Sequence, residues 1–144
     1  MSLADVMSVR LVSVKADETV HVAVSRMLES GVGAVVVCED NRLLGIFTER
    51  DLLRIGGESP TFDLAHVRVG DVMTTHVLTL APDDEVLAAA RLMGEKRIRH
   101  VPIVEDGNVL GVVGIRDVMR SLVEFMWRTH DDGARETARS LLRS

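Results

Sequence analysis

The sequence predicts a mixed α/β (α+β) fold built from two copies of one β-α-β-β-α unit, and three observations predict it. The first is composition. Hydrophobic residues make up 47% of the 144 residues but aromatics only 3%, so the core must be assembled from Val, Leu, Ile, Met and Ala. Such a core suits helices on a sheet better than a β sandwich. The second is a repeat: Ala4–Arg54 aligns without a gap on Gly70–Arg120, at a constant offset of 66 residues. The third is patterning. In each copy, short continuous apolar runs alternate with segments whose apolar residues recur at helical spacing.

The repeat is specific. Asp5-Val6-Met7 falls on Asp71-Val72-Met73, Val20 on Val86, Ala23 on Ala89, Met27 on Met93, and Arg50-Asp51 on Arg116-Asp117. Self-similarity of this length marks a duplicated unit. Each copy opens with an extended piece, Leu11–Val14 or Val77–Leu80. A helix start follows, Ala16-Asp17-Glu18-Thr19 or Pro82-Asp83-Asp84-Glu85, where acids suit the positive pole of the helix dipole. The first helix carries Val20, Ala23, Val24 and Met27 at helical spacing and ends near Gly31. The runs Ala34–Cys38 and Val101–Val104 suit strands buried on both faces. Asp40-Asn41 and Asp106-Gly107 then turn the chain into Leu43–Phe47 and Val109–Val113. A closing helix follows each second strand.

This places repeat 1 at 3–56, a surface linker at 57–69, repeat 2 at 70–121 and a helical tail at 122–144. The tail gathers Leu122, Val123, Phe125, Met126 and Trp127 in a helix running to Thr129. A turn at His130–Gly133 and a last helix, Ala134–Leu142, complete it. An apolar face outside the repeat either folds back on the repeats or forms an intersubunit contact, and a homodimer contact is the favoured expectation.

Several function classes are disfavoured. A net charge of −5 argues against a general nucleic-acid binder. The single Cys38 forbids an intrachain disulfide and fits a reducing compartment. Asp5 interrupts the one apolar stretch that could act as a leader, and no run approaches the ~18 residues needed to span a bilayer. These readings point to a cytoplasmic protein. No catalytic constellation and no metal-ligand spacing stands out, so neither enzymatic chemistry nor a required cofactor is expected.

The duplicated Asp-Val-Met start, the run His100-Val101-Pro102-Ile103-Val104 and the turns Gly45–Asp51 and Gly111–Asp117 together carry a family resemblance. The chain resembles a tandem pair of cystathionine-β-synthase (CBS) domains, the Bateman module, of the stand-alone bacterial type. The resemblance covers roughly residues 3 to 121. It implies two repeats packed sheet to sheet with pseudo-two-fold symmetry, and two clefts between them. It also implies a regulatory role through binding adenine nucleotides and pairing into homodimers. The effector protein that such a module would regulate is not legible in the sequence.

The turn at Asp51 has its own chemical logic. A carboxylate accepts hydrogen bonds from both hydroxyls of a ribose. The resemblance gives Thr48 and Asp51 that role. The same Thr-x-x-acid pattern is also a capping box, and from the tetrapeptide alone both readings stand. Phosphates need cations, and Glu95-Lys96-Arg97-Ile98-Arg99-His100 is the densest basic stretch. The resemblance turns Arg97, Arg99 and His100 toward the Asp51 cleft, with Arg116 as a further ligand. It places Ile46, Val77, Leu78 and Pro102 around a purine. The second site, with Leu11, Val12, Gly33 and Asp117, is expected to be weaker. Gly114 replaces the Thr48 hydroxyl there, and the uncharged Gly31–Ala34 replaces the basic run. AMP, ADP and ATP are the expected ligands, with NAD and S-adenosylmethionine open. The rival reading is a structural or interaction protein that only dimerises or docks a partner around an empty cleft.

Overall fold

The structure, a computed structural model, describes residues 1–8, 11–128 and 132–143. Five strands and six helices alternate in two similar halves: β1 (Ser13–Val14), α1 (Val20–Ser30), β2 (Ala34–Glu39), β3 (Arg42–Thr48) and α2 (Glu49–Glu58), then α3 (Val69–Val72), α4 (Val86–Lys96), β4 (His100–Glu105), β5 (Asn108–Gly114), α5 (Ile115–Arg128) and α6 (Asp132–Arg143). The architecture is mixed α+β, as the composition and the repeat led us to expect.

Each half is centred on an antiparallel hairpin, β2–β3 or β4–β5, with a register shift at the equivalent places Val37/Cys38 and Ile103/Val104. The hairpin turns hold Asp40 and Asn41, or Asp106 and Gly107, at positive φ, where Asn, Asp and Gly are favoured. The hairpins meet through the pair Arg42–Asn108, giving one sheet of order β1-β2-β3-β5-β4. The first extended piece narrows to Ser13–Val14. Val77–Leu80 forms no strand and keeps only a bridge from Leu80 to Ile103.

The two halves are interlocked. Val69, fully buried, and Val72 and Met73 behind it complete the core of the first half. Leu3, also fully buried, with Val6 and Met7, completes the core of the second. Each leading Asp-Val-Met segment thus serves the opposite repeat. Backbone bridges seal the exchange: Thr74 pairs with Ile46, and Ser8, its counterpart, with Val112. The glycines of the two key turns permit it. A Cβ at Gly45 would stand 2.7 Å from the Thr74 carbonyl oxygen, and one at Gly111 would stand 2.5 Å from that of Ser8.

The expected surface linker is largely structural. α2 runs through Gly56-Gly57 to Glu58, and Phe62, Leu64 and Val67 pack on the first core. The carbonyls of Val67 and Leu64 accept from the Val20 and His21 amides, which satisfies orphan donors at the start of α1. In the tail, α5 carries Phe125 and Trp127, and Arg139 of α6 lies over the Trp127 ring at 5.7 Å. Thr129 and the His130–Asp131 part of the expected turn lie outside the described residues. No helix of the described residues is long and apolar enough to cross a membrane.

Candidate functional site

Thr48 ends β3 and caps α2. Its hydroxyl oxygen accepts from the Asp51 amide at 3.3 Å, while the Thr48 amide donates to Asp51 Oδ2 at 2.9 Å. The capping box that the tetrapeptide allowed is therefore present. Asp51 does more than cap. It is buried, at 6% exposure, and its Oδ1 accepts from the Thr74 hydroxyl at 2.9 Å and from Arg54 Nη2 at 3.5 Å. The Thr48 hydroxyl also donates to Oδ2 at 3.1 Å. Four donors use the acceptor capacity of one carboxylate. An incoming hydroxyl must displace one of them, and the long Arg54 contact is the weakest by geometry.

Above this carboxylate opens a cleft of about 420 Å³. Repeat 1 supplies Gly33, Ile46, Thr48, Glu49, Arg50, Asp51 and Leu53, while Thr74, Ile98, Arg99 and His100 come from the second half. Arg50 crosses between the halves: its Nη1 donates to the Arg97 carbonyl at 2.8 Å. Arg97 itself closes α4 in the left-handed region at φ 54°, the place held by Gly31 in the first copy. His100 is half-buried. Burial holds its pKa below the ordinary imidazole value, and the Arg99 charge pushes the same way against Glu49 and Asp117. At neutral pH it is a neutral hydrogen-bonding group.

A second cleft, of about 500 Å³, surrounds Asp117. The Gly114 amide donates to Asp117 Oδ2 at 3.0 Å, and with no hydroxyl at position 114 the box is half made. The expectation that this cleft lacks cations is overturned. Arg99, Arg116 and Arg120 all line it, because Arg116 and Arg120 ride on α5 beside Asp117 and Arg99 stands between the clefts.

Of the residues expected around the first site, the structure brings together Ile46, Thr48, Asp51, Arg99 and His100. Arg116 belongs to the wall of the second cleft, with Val12, Gly33 and Asp117. Leu11, Val77, Leu78 and Arg97 lie in neither wall. Pro102 is fully buried on β4, where its carbonyl accepts from the Leu80 amide, so it has no face toward the cleft. Sequence reasoning missed Thr74, Glu49, Arg50, Leu53 and Ile98. Thr74 carried a signal: its repeat counterpart, Ser8, is also a hydroxyl residue directly after a core Met. Among the described residues no cluster of three His, Cys, Asp or Glu could hold a metal.

A family model for the CBS domain matches residues 3–58 and 69–124. The mitochondrial CBS domain-containing protein CBSX3 of Arabidopsis thaliana is 42% identical over 115 residues, which are 74% of this chain and 54% of that protein. The chain thus spans about half the length of that relative. Among solved structures, the CBS-domain containing protein ATU1752 from Agrobacterium tumefaciens is 28% identical with a TM-score of 0.76, over 84% of this chain and 98% of that one. The CBS domain pair of protein MJ0100, solved in complex with 5′-methylthioadenosine and S-adenosyl-L-methionine, superposes with a TM-score of 0.75 over 84% of this chain and 94% of that one. At 21% identity it shows the fold alone.

Proposed function

The chain belongs to the CBS domain family, and from that premise we propose that its two repeats form a regulatory module that binds an adenine nucleotide in the Asp51 cleft. One observation carries this reading. A single cleft joins the Thr48–Asp51 turn of one repeat to Arg99 and His100 of the other. Asp51 meets ribose hydroxyls, taking over acceptor capacity now spent on Arg54 and Thr74. Arg99 and Arg50 meet phosphate, and Ile46, Ile98 and Leu53 offer apolar surface to a purine. The ligand set is AMP, ADP or ATP first, with NAD and S-adenosylmethionine behind; the bound ligands of MJ0100 support an adenosine moiety in this fold. Binding across two repeats regulates by favouring one arrangement of them, which needs different affinity for the two arrangements. The module has no chemistry of its own.

A second reading rests on exposed apolar side chains. Leu53 of α2 and Met119 of α5 are repeat counterparts and both exposed, as is Phe125. A scaffold that only pairs with a second copy through α2 and α5 would need these and not the cleft. Thermal unfolding against AMP, ADP, ATP, NAD and S-adenosylmethionine separates the two. A ligand at about 100 times its Kd stabilises the fold by about 2.7 kcal/mol. A raised midpoint with at least one ligand is expected. No shift with any of the five overturns the nucleotide reading and leaves the scaffold.

A further inference from the structure

The two clefts are not separate rooms. Gly33, Glu49, Arg99 and His100 stand in the walls of both. Gly33 and Arg99 are counterparts in the repeat, one at the mouth of each strand that follows a first helix. A symmetric pair would carry a cation at both places, one for each cleft. Here position 33 has no side chain. A Cβ there would already lie 3.0 Å from Glu49 Oε1 and 3.3 Å from His100 Cε1. One guanidinium therefore serves two clefts.

The backbone on either side is fixed in matching ways. The Arg99 carbonyl accepts from the Ile115 amide at 2.9 Å, and the Gly33 carbonyl from the Glu49 amide at 3.0 Å. The Arg99 side chain is exposed, and among the described residues it holds no hydrogen bond or ion pair. It is free to turn either way. Each cleft also has cations of its own, Arg50 in the first and Arg116 and Arg120 in the second.

Building on the nucleotide reading above, we propose that anions in the two clefts compete for Arg99, so that a polyanion in the Asp117 cleft weakens nucleotide binding in the Asp51 cleft, and the reverse. The anion that takes Arg99 neutralises it and draws it to one side. The other cleft then keeps its own cations but loses the shared one, and with Glu49 still in its wall it holds a second anion less tightly. The coupling is reciprocal, because linkage requires each ligand to change the affinity of the other by one factor. The second cleft thus takes a phosphate-rich ligand as a brake rather than as a weaker copy of the first.

The test is a calorimetric titration with AMP, in low salt, without and with saturating inorganic pyrophosphate. The AMP dissociation constant is expected to rise at least fivefold with pyrophosphate and then to level off, because the two anions sit in different clefts. In Arg120→Gln, on the wall of the second cleft, more pyrophosphate should be needed for half of the effect while the plateau is kept. In Arg99→Gln, AMP binds more weakly and pyrophosphate no longer matters. Three results overturn the proposal: AMP binding indifferent to pyrophosphate in the wild type, a rise without limit at pyrophosphate concentrations that Arg120→Gln does not change, or coupling undiminished in Arg99→Gln. The first and third leave the nucleotide reading standing; the second marks simple displacement inside one cleft. No binding of AMP, with ADP and ATP equally without effect, overturns the phosphorylated-nucleotide reading and this proposal with it.

Discussion

The hydroxyl of Thr74 donates to Oδ1 of Asp51 at 2.9 Å, a bond that ties the leading segment of the second repeat to the key turn of the first. Asp51 is buried and Thr74 lines the same cleft, so this bond both seats the carboxylate and locks the exchanged segment. Thr74→Val keeps the shape and removes the donor. It should destabilise the fold by about 1–3 kcal/mol, the range for leaving a buried acceptor short of a partner. Thr48→Ala removes the cap and should lose about 1 kcal/mol, whereas Thr48→Ser should lose much less. Denaturant midpoints of the three variants check the order.

The glycines of the two turns should behave differently from Gly114. In Gly45→Ala and Gly111→Ala the new methyl meets a backbone carbonyl at 2.7 Å and 2.5 Å, from segments that cannot yield without opening the exchange. Each should lose about 1–3 kcal/mol, as overpacking does. At Gly114 the nearest atom, Asp117 Oδ2, is 3.4 Å away and the φ is ordinary. Gly114→Ala should be neutral or stabilise by about 0.4–1 kcal/mol through the unfolded chain. Gly114→Thr goes further and rebuilds the cap of the first copy. Equal losses at all three glycines, measured by urea unfolding, would contradict the exchange of leading segments.

Burial holds the His100 pKa down in the folded chain. The unfolded chain takes up that proton near the ordinary imidazole value of about 6.5, and the folded chain only at lower pH. Between those points the unfolded state binds more protons, so stability falls as pH drops below about 6.5 and is level above it. His100→Gln should flatten this slope. Glu18, whose pKa is lowered by the Lys15 amide and by Arg26, acts in a separate window below the ordinary carboxylate range. Unfolding of the wild type and His100→Gln at pH 7.5 and 5.5 measures the difference.

Most of the fold was legible because hydrophobic period and turn chemistry are local. Val-rich runs bounded by Asp40-Asn41 and Asp106-Gly107 gave both hairpins nearly to the residue. The exchange of leading segments was not legible. Leu3 and Val69 read as core in either arrangement, and nothing local says whose core they join. Thr74 was legible only through the repeat, as the hydroxyl counterpart of Ser8. The cations were misassigned for a related reason. Arg97 sits at a helix end in the left-handed region, which turns its carbonyl to Arg50 and keeps it out of both cleft walls. Arg116 points beside its own repeat's Asp117, a choice of side that spacing does not fix.

The central claim is that Asp51 is a ligand-binding carboxylate as well as a cap. Because Asp51 also holds the start of α2, its removal lowers the unfolding midpoint whether or not a ligand binds, so the decisive quantity is affinity. The measurement is a calorimetric titration of AMP or ATP into folded wild type, Asp51→Ala and Asp117→Ala at a temperature well below all three midpoints. The account predicts binding to the wild type, a loss of at least tenfold in Asp51→Ala, and binding retained in Asp117→Ala. Equal affinity in wild type and Asp51→Ala would contradict it and reduce Asp51 to a helix cap.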